Sequence, residues 1–190
     1  MATPDASSLA EALRHLARLL SDWGRRAAII GGIGIVARVR PRHTDDVGVV
    51  VVVPEGRGKE FLALAHSHGW ADDPAETRAL LAGGLLRIFR GAPTELASVD
   101  VIFVDSTFLE DIVGRATQLD LGVATLPVAT TEDLLLLKLD ANRPEDLDDI
   151  LAIKDAFADT LDMTYVRAQA ARIGVLELLD LYFNAGSTTG

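Results

Sequence analysis

The chain has 190 residues, no cysteine, a net charge of −10 and 49% hydrophobic residues. That length suits one domain, or one domain with a helical appendage, and the apolar content is enough to bury a sizeable core. Disulfides and thiolate metal sites are excluded, and the acidity argues against tight, sequence-independent binding to nucleic acid. The longest apolar runs, "LLLL" and "VVVVV", fall far short of the ~20 residues of a membrane span. The opening "MATPDASS" lacks the basic and apolar parts of a signal peptide, so a soluble, cytoplasmic protein with no membrane partner is expected.

In chain order, "SSLAEALRHLARLLSDW" has leucines at helical spacing after a Ser cap and predicts an amphipathic helix. "RAAII" predicts a short buried strand ended by Gly31 and Gly32, and "IGIVARVR" a short helix stopped before Pro41. Residues 46 to 53 form a valine-rich strand that turns at "PEGRG", and "KEFLALAHSHG" is the next helix. "GLLRIFR" and "SVDVIFVD" predict two antiparallel neighbours, because only a short loop joins them. "TFLEDIVGRA" predicts a helix, and "VATLPVA" an edge strand in which Pro127 is tolerable. From Thr131 the pattern is helical up to the tail "NAGSTTG", which is expected to be disordered.

Strands first and helices last indicate α+β rather than regular βαβ winding. The expected organisation is an α/β core over 1–129, a helical region packed on it over 130–184, and a tail over 185–190. Charge is uneven along the chain. Arg25, Arg26, Arg38, Arg40, Arg42 and His43 crowd one stretch, and Asp140, Glu145, Asp146, Asp148, Asp149 and Asp155 crowd another. Two solvated faces would explain this, and so would a local basic patch suited to a small phosphorylated ligand.

"RHTDDVGVVVVVP" opens the strongest strand with Asp46 and Gly48 two apart, positions that share one face of a strand. A carboxylate at each would make a metal-binding pair, but the second position is a bare glycine. The preceding glycines admit two readings. Gly32-x-Gly34-x-x-Ala37 with Glu55 is a weak dinucleotide fingerprint, its helix cut short by Pro41. Alternatively, Gly31 and Gly32 let backbone amides approach a triphosphate at a helix start. His66 and His68 do not share a helix face and are expected to be surface residues, while Trp23 and Trp70 are expected to be core anchors.

The stretch "IIGGIGIVARVRPRHTDDVGVVV" resembles the opening motif of the nucleotidyltransferase superfamily related to DNA polymerase β, and most of all its AbiEii-type branch. That pattern is a Gly-Gly turn followed by Arg-x-Thr-x-Asp-hydrophobic-Asp, here Gly31, Gly32, Arg42, Thr44, Asp46, Val47 and Gly48. "TTEDLLLLKLDANRPEDLDDI" resembles the downstream motif through Lys138, Ala141, Arg143, Asp146 and Asp149, so the resemblance spans roughly residues 25 to 155.

The resemblance implies a nucleotidyltransferase fold, a mixed sheet with flanking helices and a C-terminal helical bundle. It also implies transfer of a nucleoside monophosphate from an NTP with Mg²⁺. Such transfer is an in-line displacement at phosphorus, commonly steadied by two metals on carboxylates of adjacent strands. By this parallel Asp46 and Asp100 are the catalytic, metal-binding acids. Gly31, Gly32, Arg42, Thr44, Lys138 and Arg143 contact the nucleotide. Asp100 would otherwise be a strand-end cap, and Lys138 and Arg143 salt-bridge partners of Asp146 and Asp149. Relatives of this branch serve in toxin–antitoxin pairs, so an antitoxin partner and an RNA or protein acceptor come with the resemblance. Gly48 departs from the pattern, and transfer is therefore expected to be slow or absent. The rival reading is a catalytically inactive nucleotide- or protein-binding module on the same fold.

Overall fold

The computed structural model describes residues 6–44, 46–73, 77, 85–90 and 97–184, with side chains for 8–44, 47–73, 77, 86–90 and 98–183. The tail, and Asp45 within the opening motif, lie outside the described residues.

Six strands and eight helices are found among the described residues. In chain order they are α1 (Ala6–Trp23), β1 (Ala27–Ile30), α2 (Gly31–Arg38), β2 (Asp46–Val51), α3 (Gly58–Ser67), β3 (Leu85–Arg90), β4 (Ala97–Phe103) and α4 (Thr107–Arg115). There follow β5 (Thr117–Asp120), β6 (Thr125–Val128), α5 (Thr131–Ala141), a 3₁₀ turn at Pro144–Asp146, α6 (Leu147–Phe157), α7 (Met163–Arg172) and α8 (Leu176–Asn184). The sheet runs β3-β4-β2-β1-β6-β5. It is mixed: β2–β4 and β1–β6 are parallel, and the other three pairs antiparallel. The architecture is α+β.

Strand alternation divides the core in two. Ala27, Ile29, Val47, Val49, Val51, Leu86, Ile88, Val99 and Val101 face one way and pack with α1 and α3. On that side Phe61 meets Trp23 and Phe103 edge-on, with ring centroids 5.3 and 5.8 Å apart. Ala28, Ile30 and Val50 face the other way, into a cluster with Phe108, Ile112, Leu134, Leu135, Leu139, Ile150, Val166 and Leu179. The later helices therefore share one apolar cluster with the sheet. Helix α5 is buried on nearly every side, as its uninterrupted leucine run requires. It is capped by Thr130, whose hydroxyl accepts from the Asp133 amide, and ends at Asn142 in the left-handed region.

Three expectations need correcting. β6 is interior, with β5 as the edge beyond it. Pro127 is accommodated because β1 pairs with β6 only at Ile29–Val128, so no ladder donor is required at 127. β5, "TQLD", is polar and mostly exposed, and carries no apolar alternation by which it could be recognised. Finally, α1 already includes Ser7 and Ser8, so neither serine caps it.

Candidate functional site

β1 runs antiparallel to β2, with Ile30 opposite Gly48. That excludes the dinucleotide reading, which needs parallel strands around the glycine-rich helix. The glycines have other uses. A Cβ at Gly34 would lie 2.7 Å from Leu134 Cδ2, so this glycine lets α5 pack close to α2. A Cβ at Gly32 would lie 2.1 Å from Thr44 Oγ1, so Gly32 seats Thr44. Gly31 differs: its φ is +64° and nothing lies within 4 Å of a Cβ there. The space over the first residue of α2 is open.

β2 and β4 are adjacent and parallel, with Asp46 beside Ser98 and Gly48 beside Asp100. Positions 46, 48 and 100 therefore share the face that carries Ile30 and the later helices. Asp100 is not a strand-end cap: β4 begins at Ala97, and Asp100 sits mid-ladder between Gly48 and Arg87. Arg87 holds it by a fork, its Nε donating to Oδ1 at 2.5 Å and a terminal nitrogen to Oδ2 at 2.8 Å. On the other side, a Cβ at Gly48 would meet Ile30 Cγ1 at 3.0 Å. Position 48 has no carboxylate, its side-chain space is bordered by Ile30, and both oxygens of Asp100 are engaged by the Arg87 guanidinium. This donor set does not fit a pair of divalent metals. Among the described residues no group of three His, Cys, Asp or Glu is placed to hold a metal ion.

The two sequence motifs meet in a charge network. Lys138, 6% exposed, donates to Asp146 Oδ1 at 2.5 Å and lies 3.0 Å from Asp149 Oδ2. Arg42 also reaches Asp149 Oδ2, Arg40 lies 3.5 Å from Asp149 Oδ1, and Arg143 Nε donates to Asp146 Oδ2 at 2.9 Å. Both aspartates are fully buried. Burial pushes each carboxyl up. For Asp146 the hydrogen bonds from Arg143 and Lys138, and for Asp149 those from Lys138 and Arg42, more than reverse it. Both are held below the usual carboxylate range. The partner that a buried Lys138 requires is thus a pair of aspartates. Arg42 and Arg40 keep part of their surface in solvent, with side chains 29% and 43% exposed.

The crowd of basic residues does not form one patch. Arg38 Nε donates to the Ala129 carbonyl at 2.5 Å, and a terminal nitrogen to the Val128 carbonyl at 2.9 Å, tying α2 to the end of β6. Arg25 and Arg26 precede β1, at the opposite end of that strand from α2. The acidic crowd splits likewise: Asp146 and Asp149 turn inward, while Asp140, Asp148 and Asp155 are exposed. His66 and His68 bind separate partners, Asp72 at 2.5 Å and Asp22 at 3.0 Å. Trp70 is buried, and Trp23 is half-buried with its indole donating to Val52 O at 3.0 Å. Sequence reasoning missed Arg87. Its one signal was a charge between Leu86 and Ile88, at the outward phase of an alternating strand.

The architecture is that of the nucleotidyltransferase fold, with a mixed sheet, flanking helices and a C-terminal helical bundle. Among solved structures, the solution structure of the antibiotic-resistance factor ANT(2'')-Ia superposes with a TM-score of 0.58 at 14% identity, over 91% of this chain and 97% of that one. ANT(2'')-Ia in complex with adenylyl-2''-tobramycin gives 0.51 at 13% identity, over 87% and 97%. The lincosamide antibiotic adenylyltransferase LnuA, lincomycin-bound, gives 0.50 at 11%, over 82% and 100%. No protein-family model and no curated protein sequence matches the chain.

Proposed function

We propose that this chain is a nucleotide-binding module on the nucleotidyltransferase fold whose transfer chemistry is impaired. The observation that carries the reading is the row Gly48–Asp100–Arg87, in which one acid is missing and its neighbour is held by an arginine fork. Binding is supported by the open space over Gly31 at the start of α2, where backbone amides and the helix dipole favour an anion. The part-exposed guanidiniums of Arg40 and Arg42 add positive charge to the segment that seats Thr44 against Gly32. Lys138 and Arg143 act in this reading as the scaffold of that segment, through Asp149 and Asp146.

A second reading, slow transfer of a nucleoside monophosphate to an acceptor, is favoured by one observation. β2 and β4 place position 46 and Asp100 on one face of adjacent parallel strands, the arrangement that the resemblance implies. An RNA or protein acceptor and an antitoxin partner rest on resemblance to the AbiEii-type branch, and small-molecule acceptors on the antibiotics of the structural neighbours. The test combines calorimetric titration of NTPs with radiolabelled NTP incorporation, using RNA, protein, tobramycin and lincomycin as acceptors. Saturable binding with no incorporation is expected. Robust incorporation by the native chain would replace the first reading with the second.

A further inference from the structure

We propose that α6 and α8 together form a docking surface for a basic amphipathic helix of a partner protein. The inference stands on a part of the molecule that the nucleotide-binding reading does not use. Among the described residues the exposed large apolar side chains are Val36 and three leucines of these two helices. The leucines are Leu147, Leu151 and Leu181, at 38%, 39% and 61% exposure. Leu147 and Leu151 stand one turn apart on α6, and Lys154 continues their line at the next turn. Lys154 Nζ donates to the Tyr182 carbonyl at 2.6 Å, so that line ends against the residue next to Leu181 on α8. Beside Leu181 opens a cavity of about 550 Å³, whose apolar lining includes Leu139, Val175 and Leu178.

The charge around these leucines sets what can cover them. Residues 130–184 contain twelve acidic and five basic residues, and each of the five basic ones already has a partner. Lys138 and Arg143 hold Asp146, Lys154 holds the Tyr182 carbonyl, Arg167 holds Asp180 and Arg172 holds Asp111. Asp140, Asp148, Asp155 and Glu177 are exposed and make no ion pair among the described residues. Asp148 and Asp155 lie one turn to either side of Leu151 on α6. Asp140 and Glu177 line the same cavity as Leu181. An apolar line fringed by unpaired carboxylates is the complement of a helix with leucines on one face and lysine or arginine beside it. Residues 1–5, "MATPD", and 185–190, "AGSTTG", contain no basic residue, so neither supplies that complement. A second copy in a two-fold pairing would set the same acids against one another.

The test is fluorescence anisotropy of a labelled peptide of about 15 leucines and lysines, its leucines spaced along one helical face, titrated with the full chain. Saturable binding that weakens as salt is raised is expected. A peptide of the same composition, permuted so that it has no apolar face, is expected to bind about tenfold more weakly. Leu151→Ser combined with Leu181→Ser is expected to weaken binding of the first peptide by about tenfold or more. Asp148→Asn combined with Glu177→Gln should also weaken it, whereas Glu11→Gln combined with Glu55→Gln, exposed acids in α1 and before α3, should leave it unchanged. Circular dichroism reports whether each variant folds. If the double leucine variant is unfolded, Leu181→Ser alone carries the test, with an expected loss of about threefold. The proposal is overturned by no binding to the native chain, by equal binding of the permuted peptide, or by a folded leucine variant that binds like the native chain. Equal losses from the two pairs of acid substitutions would overturn it too, since they would mark attraction to net charge alone. So would a native chain that sediments as a dimer and becomes a monomer on Leu181→Ser, which would put a second copy on this surface.

Discussion

Gly48 and Ile30 face each other across the β1–β2 ladder, and the fit between them decides what an acid placed at position 48 would do. A Cβ at position 48 lies 3.0 Å from Ile30 Cγ1, closer than ordinary contact, and Ile30 is 7% exposed with little room to move. Gly48→Asp is therefore expected to destabilise by about 1–2 kcal/mol, the lower range of overpacking costs. A drop in melting temperature of about 2–8 °C would register it. The carboxylate alone should not create magnesium binding, because Arg87 still occupies both oxygens of Asp100. Gly48→Asp combined with Arg87→Ala is expected to gain Mg²⁺ affinity that neither single change confers, read by titrating the metal without nucleotide. Equal metal binding by Gly48→Asp alone would show that the fork does not block the site. Gly48 stands out in the sequence as a glycine two residues after Asp46 at the head of a valine-rich run, a pattern visible within one short segment. Arg87 was not, since its pairing with Asp100 depends on strand register between two segments, which no local pattern encodes.

At the scale of elements, the stretch from α5 through the 3₁₀ turn into α6 is organised around Lys138, Asp146 and Asp149. Replacing Lys138 by Met leaves two buried carboxylates without their shared cation, although Arg143 and Arg42 remain. Breaking a buried pair from one side costs about 3–5 kcal/mol, and the remaining arginines put the expectation near 3 kcal/mol, read from urea midpoints at neutral pH. The same network makes stability acid-sensitive. Asp146 and Asp149 titrate below their unfolded values, so their contribution is complete above the unfolded carboxylate pKa of about 3.9. It is lost as the pH falls through the folded values. Unfolding free energy should therefore fall steeply below about pH 4, by up to ~1.4 kcal/mol per pH unit for each aspartate. Asp149→Asn should flatten that slope; an unchanged slope would mean that Asp149 takes no part. The downstream motif was readable as charges at set spacing, but not as a choice between ligand and partner. What decided it is the contact of Arg42 with Asp149, remote in sequence. β5 and the interior place of β6 escaped for a related reason. Short polar strands are specified by what they pair with, not by their own residues.

The whole molecule is a sheet covered on both faces, and the two covers differ in origin. One face is closed by α1 and α3 from the first part of the chain. The other is closed in large part by segments after residue 129: Ala28, Ile30, Val50, Phe108 and Ile112 share their cluster with Leu134, Leu135, Leu139, Ile150, Val166 and Leu179. Polar ties cross the same boundary, from Arg42 to Asp149 and from Arg115 to Asp133. A segment 1–129 on its own would bare four large apolar side chains, Ile30, Val50, Phe108 and Ile112, at about 1.5–3 kcal/mol each when fully exposed. That loss, roughly 6–12 kcal/mol, is comparable to the whole stability of an ordinary domain, about 5–15 kcal/mol. The helices after residue 129 are thus expected to be part of the folding unit, not an appendage. Residues 1–129 expressed alone should bind a hydrophobic dye and show no cooperative melt, and adding residues 130–184 as a separate chain should restore one. The intact chain should unfold in a single transition, coincident by circular dichroism and by fluorescence of Trp23 and Trp70. Both tryptophans lie on the α1 and α3 side, while the later helices dominate the helical signal. Two separated transitions, or a cooperative melt of 1–129 alone, would show that the two covers fold independently.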